Sequence, residues 1–189
     1  MIMERDDFDF LVSRLAASQG VSEDTIRAQH MAWAKAEEPL VAELREAGIV
    51  VTSVWNLGDS GSTPPAALPI LVKHLGYDYP DRIMEGIALG LAVRAAARWW
   101  PELKARYISA RGPDAKLGLA NALVATATPK TADELVELIR DPNNGDTRVL
   151  LLKPLKKSKT PETRRFLEDL RSDEYLGKEA RRLIDGKRY

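Results

Sequence analysis

Three phrases decide the fold: EGIALGLAV at residues 85–93, LGLANALVA at 117–125 and VLLLKPLKK at 149–157. Gly86, Gly118 and Leu150 hold the same place in each, 32 residues apart both times, and Ile87, Leu119 and Leu151 follow in register, as do Leu91, Leu123 and Leu155. A period of this length marks units of two helices that cannot bury their apolar faces alone and must stack on one another. The expected fold is all-α, a right-handed α-α superhelix forming one domain over 1–189. Helices within 1–36 cap the stack, and repeats fill 38–189.

The composition agrees with a folded helical chain. Hydrophobic residues at 44% and charged residues at 30% are the balance of a chain with a core, not of a disordered one. There is no cysteine, which excludes disulfides and thiolate metal sites and suits a cytoplasmic setting. The opening MIMERDDFDF carries acids where a secretory signal needs a basic end and an apolar run, so no export signal is expected. The apolar stretch Gly86 to Val93 is far shorter than the roughly 20 residues that span a bilayer, so no membrane partner is expected. Net charge is zero but unevenly spread. Residues 1–61 hold 5 Lys/Arg against 11 Asp/Glu, and residues 62–189 hold 23 against 17. Such a polar axis steers charged partners in a salt-dependent way.

Helix signals run along the whole chain. Amphipathic stretches at 6–18 and 22–36 are separated by Gly20, with Ser22 as an N-cap and Glu23 and Asp24 in the first turn. Pro39 is expected to open a helix that reaches Ala47 and stops at Gly48. The run IVVTSVWNL, 49–57, reads as a short inner helix with Trp55 in the core, and GDSGSTPP after it as a loop. Beyond it, outer and inner helices pair as 64–76 with 80–93, 97–110 with 113–126, 131–140 with 146–157, and 161–171 with 173–185. Thr63-Pro64 and Thr160-Pro161 set a capping hydroxyl before a first-turn proline, Pro80, Pro101 and Pro113 open helices likewise, and Thr131 with Glu134 makes a capping box. Gly86 and Gly90 form a GxxxG spacing, read here as close helix packing within the stack.

The stretch LPILVKHLGYDYPDRIMEGIALGLA, residues 68–92, resembles the HEAT repeat. Leu68-Pro69 matches the outer-helix proline of that family, Asp78 its turn acid, and Ile87, Leu91 and Ala92 its inner core. The resemblance extends over 38–189, good in two units, fair in the third and loose in the last. It implies a ladder between turn acids and bases of successive inner helices. Asp141 and Arg148 match that ladder, Lys116 holds the same column, and Met84 departs from it. It also implies a concave inner-helix surface for recognition, whose candidate residues are Arg82, Glu85, Asn121, Lys153 and Lys156.

Signals for chemistry are sparse. Gly58-Asp59-Ser60-Gly61-Ser62 looks like the nucleophile loop of trypsin-like proteases, and Ser60, His74 and Asp78 compose an imaginable triad, but such enzymes need a β scaffold. The two histidines, His30 and His74, lie in separate units, are expected at helix surfaces, and have no metal-ligand spacing. No phosphate-binding glycine loop or cofactor motif is present. Some HEAT-like proteins are DNA glycosylases, which draws notice to Trp99, Trp100 and the basic run Lys153, Lys156, Lys157, Lys159, Arg164 and Arg165. The tryptophans are expected on an outer helix, packing between units. The expected function is thus a non-enzymatic module that binds another protein, as an adaptor or an immunity-type binder. The alternative is a DNA-binding protein or glycosylase with a basic groove.

Overall fold

The computed structural model describes residues 5–57, 63–158 and 160–186. Among these residues the chain is all-α, with ten α-helices and no strand. They are α1 (Arg5–Gln19), α2 (Glu23–Glu46), α3 (Ala67–His74), α4 (Asp81–Gly90), α5 (Trp100–Ser109), α6 (Pro113–Thr126), α7 (Ala132–Arg140), α8 (Arg148–Leu155), α9 (Pro161–Asp169) and α10 (Gly177–Asp185). No helix of the described residues is long and apolar enough to cross a membrane.

The even-numbered helices from α4 onward pack in succession: α4 on α6, α6 on α8, and α8 on α10. Each odd-numbered helix from α3 to α9 lies against the even one that follows it. One apolar core runs through them from Leu40 to Leu183. A smaller cluster of Val12, Ala16 and Ile26 joins α1 to α2. α4 and α6 approach closely, and a Cβ on Gly118 would meet the Glu85 carbonyl oxygen at 2.8 Å. Only a residue without a side chain lets the two backbones come this near. Ile87, Leu91, Leu119 and Leu123 are wholly buried beside this contact, each contributing about 1.5–3 kcal/mol of gross burial energy.

Polar bridges join successive pairs at a recurring sequence separation. Lys73 donates to Glu43, Lys104 to Glu134, and the amide of Asp114 to Asp81, at separations of 30, 30 and 33 residues. Arg94 likewise donates to the carbonyl of Ala127, 33 residues on.

Several local expectations hold. Ser22 caps α2 by accepting from the Thr25 amide, and Thr160 caps α9 by accepting from that of Thr163, with Pro161 in the first turn. Gly48, at φ 80°, takes the left-handed conformation just past the end of α2.

Others are corrected. Pro39 does not open a helix, because α2 runs unbroken through it for 24 residues. Proline cannot donate to the Lys35 carbonyl. The burial of Leu40 and Leu44 in the main core offsets that loss and carries the helix onward. Residues 49–57 form no inner helix beyond a 3-10 turn at Val54–Leu57. Asn56 Oδ1 takes the Thr52 and Ser53 amides, and Glu37 takes that of Val54, so these donors are drawn away from helical partners. Trp55 is only partly buried. Thr63 does not cap α3; its hydroxyl donates to the Gly90 carbonyl. The capping box uses Thr128 and Thr131 rather than Thr131 and Glu134. Pro80 stands at the N-cap of α4, not inside its first turn.

Candidate functional site

Two depressions and one polar cluster gather the groups able to recognise something. The first depression, a cavity of about 710 Å³, lies where α2, the 49–57 segment and α4 meet. Trp33 and Trp55 wall it, Leu15 supplies apolar surface over the buried Ile26 and Ile83, and Glu37, His30, Arg82 and Asp114 are its ionisable groups. Glu37 belongs to the series Trp33, Glu37, Leu40, Val41 and Leu44, whose helical spacing puts it on the apolar stripe of α2. It is 5% exposed, and its Oε2 accepts from Ser53 Oγ at 3.0 Å and Val54 N at 2.9 Å. Arg82 places its guanidinium 3.9 Å from the Trp55 ring centroid and donates to Glu85 Oε2 at 2.6 Å.

The second depression crosses α6, α8 and α10. Two adjoining hollows of about 590 and 290 Å³ share Val149, Glu179 and Arg182 as lining. Asn121, Val124, Leu150 and Lys153 line one of them, and Tyr175, Lys178, Arg181 and Asp185 the other. Apolar side chains on α6 and α8 thus sit beside four bases and two acids. Leu117, one turn before Asn121 on α6, is 42% exposed.

The residues expected from sequence therefore divide. Asn121 and Lys153 come together in the second depression, whereas Arg82 belongs to the first. Glu85 is not a surface group: it is 7% exposed and occupied by Arg82. Lys156 is exposed but lines neither hollow.

His74 is not at a helix surface, as expected, but is 2% exposed. Its Nδ1 lies 2.7 Å from the Tyr79 hydroxyl and its Nε2 3.0 Å from Glu43 Oε2. Lys73, donating at 2.7 Å, and then His74 hold the Glu43 carboxyl below the usual range. Asp78 is exposed and is not a hydrogen-bonding partner of His74, and Ser60 lies outside the described residues. Both partners of His74 are positions that sequence spacing did not select. His30 stacks edge-on against Trp33 at 5.3 Å between centroids. No group of three or more metal-ligating side chains occurs among the described residues.

The implied acid–base ladder is replaced by bonds to neutral oxygens. Lys116 Nζ donates to Tyr107 O at 2.6 Å and Asn144 Oδ1 at 2.8 Å, and burial pushes its pKa down. Arg148 donates to the carbonyls of Gly145 and Ile139, while Asp141 accepts from the Asn143 amide. Trp100 is buried in the core and Trp99 packs against it, with the Arg98 guanidinium 3.9 Å from the Trp99 centroid. Lys157, Arg164 and Arg165 are exposed, and Lys159 lies outside the described residues.

Compared with family models, curated proteins and solved structures, the chain gives no significant match.

Proposed function

We propose that this chain is a short HEAT-like solenoid, a right-handed α-α superhelix, and that it binds another protein along the face carried by α6, α8 and α10. The observation that carries the reading is the groove itself. Three successive even-numbered helices contribute Leu150, Val149 and Val124 beside Lys153, Lys178 and Arg182. Apolar surface edged by charge is the usual anatomy of a protein-binding patch. The partner it suits carries aliphatic side chains among acidic ones. The repeat reading is supported by the 32-residue register and by polar bridges that recur at 30 to 33 residues. An adaptor or immunity-type role fits a face of this kind, and the lack of cysteine suits the cytoplasm.

Nucleic acid takes less support. Glu179 and Asp185 interrupt the basic residues of the groove, where a phosphate-tracking surface needs continuous positive charge. Trp100, buried in the core, offers no face for a base to stack on.

The test is affinity purification from the source cells with three forms of the protein. Wild type and Glu102→Lys, altered on the exposed surface of α5, should recover the same polypeptide, and Lys153→Glu/Arg182→Glu should lose it. Recovery that is equal with all three forms would refute this face as the binding surface.

A further inference from the structure

We propose that the cavity between α2, the 49–57 segment and α4 is a binding site for an organic cation, an amine carried on an apolar body. This site shares no lining residue with the α6–α8–α10 groove and does not depend on the partner proposed for it.

Glu37 lines this cavity. It is almost fully withdrawn from water, and the groups that hold it, Ser53 Oγ and Val54 N, are both neutral donors. No Lys, Arg or His of the described residues forms an ion pair with it. A buried carboxylate is expensive unless a positive charge answers it, and here the open side of the carboxylate's surroundings is a cavity rather than packed protein. The charge of Arg82, the nearest base in the lining, is already taken by Glu85 at 2.6 Å. Asp114 adds a second acid to the same lining. An anionic ligand would meet this field unfavourably, and a cation would complete it.

The walls suit the same ligand. Indole rings attract cations over their faces, best of the aromatic side chains. Trp55 demonstrates this in the molecule, since it holds the Arg82 guanidinium 3.9 Å from its centroid. Trp33, partly buried in the lining with His30 edge-on against it, supplies a second indole, and Leu15, 36% exposed, supplies surface for an apolar body. About 710 Å³ lies within the range of pockets that enclose small organic molecules.

The test is calorimetric titration of the full chain with three probes of nearly one shape: 2-phenylethylamine, 2-phenylethanol and 3-phenylpropanoate. The amine should bind at least tenfold more tightly than the alcohol, and the carboxylate should bind most weakly. Glu37→Gln keeps an acceptor oxygen for Ser53 and Val54 while removing the charge. It should abolish the amine's advantage and leave the alcohol's affinity unchanged. If that variant fails to fold, Trp33→Leu, at a partly exposed position, should weaken the amine severalfold more than the alcohol. The same chemistry could come from a free amine or from a partner's lysine side chain. Nα-acetyl-lysine amide distinguishes the two: tighter binding than 2-phenylethylamine assigns the site to a side chain, weaker binding to a free amine. Equal affinity for amine and alcohol, or an amine affinity untouched by both substitutions, would overturn the proposal.

Discussion

Asp81, the first residue of α4, caps a helix that begins 32 residues later: its Oδ1 lies 3.0 Å from the amide nitrogen of Ala115 in α6. Its Oδ2 takes the amide of Asp114 at 2.9 Å. The residue at the N-cap of α6 is Gly112, which has no side chain to do this, and a Cβ there would fall 1.9 Å from Asp81 Oδ1. The preceding helix thus satisfies the orphan donors of the next one, which ties the packing of α4 on α6 to the start of α6 itself.

Replacing Asp81 with Ala should destabilise the fold by about 1 kcal/mol, the typical loss of an N-cap. Gly112→Ala should cost at least as much, because its methyl displaces the same carboxylate. Urea denaturation of both variants checks this, and a double variant little worse than either single one would confirm that they break one contact.

Gly118 in α6 and Gly86 in α4 should differ in tolerance. At Gly118 the obstacle to a methyl is the backbone of α4, with Glu85 O at 2.8 Å and Glu85 Cα at 3.1 Å. At Gly86 it is the Val54 and Trp55 side chains, with Val54 Cγ1 at 2.6 Å, and these can shift. Gly118→Ala is therefore expected to destabilise by about 1–3 kcal/mol and Gly86→Ala by less, while Gly86→Leu overpacks the same segment by about 1–3 kcal/mol. Thermal melts of the three variants give the order directly.

Acid should unfold the protein partly through two carboxylates. Lys73 and then His74 hold Glu43 below its ordinary value of 4.5, and Lys104 does the same for Glu134. A carboxylate depressed in the folded state contributes stability that is fully present above its unfolded pKa and is lost as pH falls through its folded pKa. Melting temperature should fall between about pH 6 and pH 3, and Glu43→Gln/Glu134→Gln should flatten that slope while lowering stability near neutrality.

What sequence made legible was whatever short-range chemistry decides. The helix 113–126 was readable from Pro113 and from the apolar run behind it, and the starts of α2 and α9 from Ser22 and Thr160. Where a distant contact decides, the reading failed. Pro39 looks like a helix start, but burial of Leu40 and Leu44 in a core built mostly from later residues carries α2 through it. The β-branched run at 49–57 is neither strand nor full helix, because Glu37 and Asn56 claim its amides. Of the candidate binding residues, Asn121 and Lys153 stand 32 residues apart in sequence and line one hollow. Glu37 was legible in principle, as an acid on the stripe of Trp33, Leu40, Val41 and Leu44, but the cavity beside it exists only once α4 and the 49–57 segment have packed. His74 acquires its partners across turns and helices, and no spacing rule links it to Glu43, 31 residues earlier.

Binding along α6 and α8 is tested by site-specific photo-cross-linking in the source cells, with benzoyl-phenylalanine placed at Leu117, at Val149 or at Ile108. Leu117 lies on α6 and Val149 on α8, whereas Ile108, 49% exposed, lies on α5. Adducts to one and the same polypeptide from Leu117 and Val149, with none from Ile108, are the predicted result. Adducts from Ile108 alone, or none from Leu117 and Val149, would contradict binding along the inner-helix face.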